Sequence, residues 1–196
     1  MRIQTLLAGA AMALVASAAA VSASAAELVT NGGFETGDTS GWTLTGNPGF
    51  SFVTAPGHSG QFAYFNGAVG SSGVLSQTLA TVAGQSYDFS FWLQNDGGTP
   101  NSFTASLGGV TLATFANAPG FAYTLFSGSV VAASDNGTLS FAFQQDPAYW
   151  RLDDVSLVSG AGGVPEPAAW GLMLIGFLGA GGAIRAGRRR QAAAAA

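Results

Sequence analysis

The chain has 196 residues, and outside its two ends about 135 remain for folding, which is enough for one domain. Cysteine is absent, which excludes disulfide frameworks and thiolate metal sites. Between residues 27 and 163, nine carboxylates accompany a single basic residue, Arg151, for a balance of −8. This negative net charge argues against nucleic-acid binding and favours the binding of divalent cations.

Residues 1–26 have the features of a signal peptide helix. Arg2 supplies a positive start, and residues 6–21 are apolar and small. The small residues at 23–25 fit cleavage after Ala25, and those at 24–26 fit cleavage after Ala26. The alternative is an uncleaved N-terminal membrane anchor.

Residues 27–158 alternate apolar and polar side chains with the period of β-strands. One row consists of Tyr87, Phe89, Phe91 and Leu93, and the opposite row of Asp88, Ser90, Trp92 and Gln94. Further strands are expected at 42–45, 50–54, 62–65, 74–79, 103–107, 110–115, 122–131, 139–143 and 155–157. Turns rich in Gly and Asn separate them, and no helical period occurs between 27 and 160. Roughly eight to eleven short strands at this spacing predict an all-β sandwich.

The C-terminal part consists of three segments in succession. A Gly/Ser linker at 159–163 precedes Val164-Pro165-Glu166-Pro167, and the uncharged stretch 168–184 follows. Its seventeen residues are just long enough to cross a hydrocarbon core of ~30 Å as a single transmembrane helix. Arginines stay on the cytoplasmic side, so the membrane stop is expected at Arg185, Arg188, Arg189 and Arg190. The alanine tail at 191–196 is expected to be disordered.

The order Val164-Pro165-Glu166-Pro167, Trp170, Met173-Leu174 and the terminal arginines resembles the PEP-CTERM sorting signal of Gram-negative bacteria over residues 164–190. The resemblance implies recognition by an exosortase, a membrane-embedded cysteine transpeptidase, and cleavage near Pro165-Glu166-Pro167. It also implies association with exopolysaccharide and biofilm. The expected location is an inner-membrane precursor facing the periplasm, then the cell surface or extracellular matrix. The alternative is a plain tail anchor that is never cut.

A second resemblance covers residues 27–158. Its motifs are Asn31-Gly32-Gly33-Phe34-Glu35, Gly41-Trp42-Thr43, Gly57-His58-Ser59-Gly60, the Tyr87–Trp92 strand and Arg151-Leu152-Asp153-Asp154-Val155. Together they resemble the carbohydrate-binding-module type of galactose-binding-like jelly roll. The resemblance implies a structural Ca²⁺ held by Glu35, Asp153 and backbone carbonyls, the hard oxygen ligands that this ion prefers. Strand alternation places Asp154 on the opposite face. The alternative is that these carboxylates cap turns or are solvated.

Sugar binding uses exposed rings together with amides and carboxylates, and the candidates are Trp92, Gln94, Tyr64, Tyr149 and Trp150. Trp92 shares a polar strand face with Asp88 and Gln94, although core packing is the alternative for any of the rings. His58 is predicted to lie in a turn before a strand, because Gln61 stands where a nucleophile elbow needs glycine. Asp153 and Asp154 are strand neighbours, which does not suit a glycosidase pair that must flank one bond.

The sequence therefore predicts an exported, non-catalytic protein of the cell surface or matrix, sorted by exosortase and interacting with exopolysaccharide. The alternative is a structural or self-assembling surface protein that contacts other proteins and has no sugar site.

Overall fold

The computed structural model describes residues 25–160 and Phe177. The predicted signal peptide, sorting signal, transmembrane helix (168–184), membrane stop and alanine tail lie outside the described residues, apart from positions 25, 26 and 177. Among the residues that are described, no helix is long and apolar enough to cross a membrane.

Ten strands make up the fold. They are β1 (Thr43–Gly46), β2 (Ser51–Thr54), β3 (Ala63–Asn66), β4 (Gly73–Thr78), β5 (Ser86–Asn95), β6 (Asn101–Leu107), β7 (Val110–Ala116), β8 (Phe121–Val131), β9 (Thr138–Gln145) and β10 (Trp150–Ser159). Sheet I has the order β1-β4-β9-β6-β7, and sheet II has the order β2-β3-β10-β5-β8. All strand pairs are antiparallel. This arrangement confirms the predicted all-β sandwich, with a jelly-roll-like order of strands.

The core between the sheets is rich in aromatic rings. Phe103 of β6 lies 5.2 Å from Phe143 and 5.5 Å from Trp150 between ring centroids, and all three side chains are fully buried. Each such ring contributes roughly 1.5–3 kcal/mol through burial. The inward row of β5 joins the same core, with Phe91 and Leu93 buried, as alternation predicted.

Phe34 fixes the loop that precedes β1. Its ring is fully buried and stacks on Trp42 at 5.9 Å and on Tyr64 at 5.7 Å. Its φ is 56°, a left-handed value that is uncommon for a bulky residue and is stabilised here by the buried ring. With Phe34 anchored in the core, the next side chain, Glu35, reaches the loop before β3.

The first residues of the domain are fastened to the last strand. Glu27 Oε1 accepts hydrogen bonds from the backbone N–H of Val29 (2.8 Å) and Leu157 (2.9 Å), and Oε2 accepts one from Ser156 Oγ. The Leu28 N–H also donates to the Leu157 carbonyl at 3.0 Å. The two ends of the domain therefore meet on β10.

A β-bulge interrupts β10 beside β5. The register with β5 shifts between Asp153 and Ser156, and Asp154 has a φ of 48°. The extra residue breaks the alternation of side chains, so Asp153 and Asp154 both reach the same loop. The expectation that Asp154 would lie on the opposite face is wrong for this reason.

Candidate functional site

Three carboxylates hold the loop at residues 57–62. Asp153 Oδ2 accepts the N–H groups of His58 (2.7 Å) and Ser59 (3.2 Å). Asp154 accepts hydrogen bonds from the side chains of the same two residues, at 2.7 Å from His58 Nδ1 and 2.6 Å from Ser59 Oγ. Because every anchor is a charged acceptor, this loop is held by hydrogen bonds of the stronger class.

Glu35 holds the other end of the loop. Its carboxylate accepts the N–H groups of Gln61 and Phe62, both at 2.9 Å from Oε1. Gly60 makes this approach possible, since its φ is 58° and a Cβ there would lie 2.5 Å from the Glu35 carboxyl carbon. The sequence Gly57-His58-Ser59-Gly60 is thus a turn before β3, as predicted, shaped to fit three acidic side chains.

Asp153 is the buried member of this acidic group. Its side chain is fully buried, and burial raises the pKa of Asp153 to about 6, with the neighbouring charge of Asp154 acting in the same direction. Hydrogen bonds from the N–H groups of Asp154, His58 and Ser59 oppose that shift. The site therefore holds a carboxyl group whose ionisation is disfavoured by its surroundings.

The three carboxylate side chains surround residue 33. A Cβ on Gly33 would lie 3.7 Å from Asp154 Oδ1, 3.8 Å from Glu35 Cγ and 3.9 Å from Asp153 Oδ1. Within residues 25–160, no group of three or more His, Cys, Asp or Glu side chains has an arrangement that could hold a metal ion by itself. Any cation here would need backbone oxygens as further ligands.

Next to this loop, three rings form a cluster on the outer face of sheet II. The imidazole of His58 lies flat on the indole of Trp92, with centroids 3.7 Å apart and planes inclined by 16°. Tyr123 of β8 meets the imidazole edge-on at 5.4 Å. The Tyr123 hydroxyl is buried and has no hydrogen-bond partner, and burial raises the pKa of Tyr123 to about 12. A buried hydroxyl without a partner is costly and calls for an explanation.

A second group of rings occupies the same face towards β2. Phe52 stacks on Phe65 at 5.5 Å, and Tyr149 meets Phe52 edge-on at 5.4 Å. The guanidinium of Arg151 lies 4.8 Å above the Phe65 ring and pairs with Asp96 at 2.9 Å.

Gln94 lies on the same face, paired with Arg151 across the sheet. Its Nε2 donates to Asp96 Oδ1 at 2.9 Å, beside the ion pair with Arg151. The outer face of sheet II thus presents rings at both sides and hydrogen-bonding groups between them.

The structure separates the five residues predicted for sugar binding. Trp92, Gln94 and Tyr149 are partly exposed and belong to the outer face of sheet II. Tyr64 and Trp150 are fully buried, and Trp150 donates its indole N–H to the Gln144 carbonyl at 3.0 Å. Their selection as exposed rings was wrong, because Tyr64 packs on Phe34 and Trp150 on Phe103 inside the core.

A shallow groove of about 370 Å³ continues along the same face, away from the rings. Its polar lining consists of Asp88, Ser90, Ser127, Ser129 and Ser156 from three adjacent strands. Asp88 lies here, as the predicted polar row of β5 requires, and accepts a hydrogen bond from Ser129 Oγ.

Sequence reasoning missed His58, Tyr123, Arg151 and Asp96 as members of this face. His58 is the only histidine and Arg151 the only basic residue between 27 and 163. The rarity of these residue types in the domain was the available signal for His58 and Arg151. Tyr123 and Asp96 carried none, since their positions depend on the pairing of β5 with β8 and β10.

The fold and this face define a class, the jelly-roll β-sandwich with a ring-bearing sheet surface. Residues 26–148, more than half of the chain, match the family model described as carbohydrate binding domain. The chain therefore belongs to that carbohydrate-binding family.

Solved structures agree on the fold. The module TmCBM61 in complex with β-1,4-galactotriose has a TM-score of 0.51 at 18% identity, covering 69% of this chain and 99% of the module. A xylan-binding CBM 22 domain has a TM-score of 0.52 at 17% identity, covering 71% and 99%. The cleaved adhesin domain of Lys-gingipain from Porphyromonas gingivalis has a TM-score of 0.51 at 17% identity, and the match covers 70% of this chain and 100% of that domain. No protein of curated function matches the chain significantly.

Proposed function

We propose that this protein is an exported, non-catalytic surface or matrix protein that binds exopolysaccharide through the outer face of sheet II. The observation that carries the proposal is the arrangement of partly exposed rings and hydrogen-bonding groups on that face. Trp92 and Tyr149 lie at its two sides, and Gln94, Asp96 and Arg151 lie between them. Rings stack on the C–H faces of sugars, and amides and charges bind their hydroxyls.

Binding is tested with the purified full-length protein in affinity electrophoresis through gels that contain xylan, β-1,4-galactan or the exopolysaccharide of the producing cells. The first two polymers are chosen because similar folds were solved as a xylan-binding domain and with a galactotriose. Retardation by at least one polymer is expected. Migration equal to that in an empty gel for all three removes the sugar-binding proposal.

A structural Ca²⁺ at Glu35 and Asp153 is part of the proposal. The N–H bonds already made leave one free lone pair on Asp153 Oδ1 and one on Glu35 Oε2, which backbone carbonyls would supplement. A bound cation would also favour the ionised form of the buried Asp153. Ca²⁺ should raise the unfolding midpoint relative to EDTA, and Glu35→Ala and Asp153→Ala should each abolish the rise. Equal midpoints in Ca²⁺ and EDTA would exclude the ion.

Delivery to the surface is proposed to depend on the two ends of the chain. The N-terminal residue of the mature protein, determined by sequencing, distinguishes cleavage after Ala25 from cleavage after Ala26. Loss of the segment after Val164-Pro165-Glu166-Pro167 in cells with exosortase, and its retention in cells without it, would support sorting. Retention in both would favour a permanent tail anchor.

A self-assembling structural role is the second candidate, and the outer face of sheet I favours it. The side chains there are small and uncharged, with Ser102, Thr104 and Ser106 on β6 beside Ser140 and Ala142 on β9. Such a face can pack closely against a second sheet. Association that rises with protein concentration in sedimentation velocity, without polysaccharide, would support this role.

A further inference from the structure

The loop that carries His58 is fixed before any ligand arrives. Four backbone N–H groups and two side chains of residues 58–62 bond to Asp153, Asp154 and Glu35. A loop held by charged acceptors along its whole length has few alternative positions. It therefore differs from a lid, which needs weakly held segments that can open.

The fixed loop places an imidazole over an indole. His58 belongs to the exposed loop, whereas Trp92 is half-buried on β5 in the body of sheet II. At 3.7 Å and 16°, the imidazole covers one face of the indole and excludes a sugar from that face. The His58 side chain itself keeps 28% of its surface exposed. The outer member of the stack is therefore the histidine.

We infer that the ligand-facing ring of this site is His58, with Trp92 as the support beneath it. The inference rests on the proposed sugar-binding function and names the residue on which a sugar ring would stack. Five of the six hydrogen bonds fix the loop, and the sixth, between His58 Nδ1 and Asp154, orients the imidazole, so the exposed ring is held flat against the tryptophan.

The tautomer of His58 adds a hydrogen-bonding group to the stack of His58 on Trp92. Asp154 as a carboxylate only accepts, so Nδ1 carries the hydrogen in the neutral ring and Nε2 is left as an acceptor. Nε2 has no partner among residues 25–160. A sugar hydroxyl next to the stacked face can donate to it, which would select ligands with a hydroxyl at that position.

The test compares dissociation constants, measured by calorimetry, of full-length wild type, His58→Ala and His58→Phe for the most strongly retarding of xylan, β-1,4-galactan and the producing cells' exopolysaccharide. His58→Ala should weaken binding about tenfold, because both stacking and the hydrogen bond are lost. His58→Phe should weaken it only a few-fold, because the ring remains and the acceptor is lost. The His58 ring signals in ¹H–¹³C spectra of wild type should also shift on titration with the polysaccharide.

Three results would overturn the inference. If His58→Ala binds as tightly as wild type, the function stands and only the role of His58 is removed. If it binds more tightly, the imidazole of His58 covers Trp92, and Trp92 is the ring on which the sugar stacks. If wild type binds none of the three polymers, the proposed function fails and the inference fails with it. His58→Phe and the wild-type spectra keep the test decisive should His58→Ala misfold.

Discussion

The outer faces of the two sheets are made by the same alternation of side chains, yet their chemistry differs. On sheet I the outward side chains of β4, β6 and β9 are Val74, Ser76, Thr78, Ser102, Thr104, Ser106, Thr138, Ser140, Ala142 and Gln144. None of these is aromatic or charged. The outer face of sheet II carries rings, an ion pair and a buried carboxyl group.

This difference separates the requirements of folding from those of recognition. Both sheets contribute inward rings to one core, which is all that folding needs from them. Sheet II also carries two features that cost stability on its outer side, namely a buried acid with a raised pKa and a tyrosine hydroxyl without a partner. The corresponding unpartnered atom of sheet I, Gln145 Oε1, belongs to the inward row of β9 and not to the outer face. Features that destabilise and lie together on one face are expected where a protein has a function.

The largest expected effect is a difference in ligand binding between one substitution on each face. Trp92→Ala should weaken polysaccharide binding about 30-fold, because it removes the ring on which His58 rests as well as the indole itself, and the loss of such an anchor typically costs about 2 kcal/mol. Thr104→Ala on sheet I should leave the dissociation constant unchanged. Calorimetry on both variants measures this, and equal losses would show that sheet I also takes part in binding.

The pH dependence of the free energy of unfolding should come from Asp153, which lies on β10 in sheet II. The raised pKa of Asp153 means that the folded protein keeps this proton to about pH 6, whereas the unfolded chain releases it near pH 4. Between these values the folded state binds more protons, so in EDTA the free energy of unfolding should fall as the pH rises. Urea titrations at pH 4, 5 and 6 measure the fall, and Ca²⁺ should reduce or reverse it. A rise of the free energy of unfolding with pH in EDTA would contradict the raised pKa of Asp153.

A smaller effect is expected from Tyr123→Phe. Removing a buried hydroxyl that has no partner should leave the free energy of unfolding unchanged or raise it by about 1 kcal/mol. Chemical denaturation measures it. A loss of stability would show that the hydroxyl has a partner in solution, which the folded chain does not supply.

The smallest effect is expected from Asp96→Asn. The Asp96–Arg151 pair is partly exposed, with 19% and 25% of the side-chain surfaces accessible, so its contribution should stay below about 1 kcal/mol. The difference between wild type and variant should shrink in 1 M salt, because salt screens exposed pairs. A difference that persists in 1 M salt would mean that the cation–π contact with Phe65 also depends on Asp96.

Alternation in the sequence was sufficient to predict the strands and the sandwich, because the inward rows of β5, β6 and β9 are apolar except at one end of each strand, where Asn95, Asn101 and Gln145 are buried. It was insufficient for Tyr64, since every residue of β3 is buried and neither face of that strand is distinguished by polarity. Trp150 was misplaced because β10 begins five residues before the strand expected at 155–157.

The candidate site was less predictable than the fold. Asp154 was misplaced because a single extra residue in a bulge leaves no mark in an otherwise alternating segment. His58 was recognised as part of a turn, but its position over Trp92 depends on carboxylates that are far from it in sequence. Such long-range pairings are set by the fold and cannot be read from local patterns.

The contact between Glu27 and β10 has a mechanical consequence. The chain leaves the domain at the end of β10, a central strand that is bonded to β3 on one side and to β5 on the other. Any tension on residues beyond Gly160 is therefore applied along a strand held by two neighbours and by the side chain of Glu27. Many hydrogen bonds would have to shear together before that strand could slide. A load applied beyond Gly160 would therefore be resisted by β10 and its two neighbours before it could disturb the outer faces of the sheets.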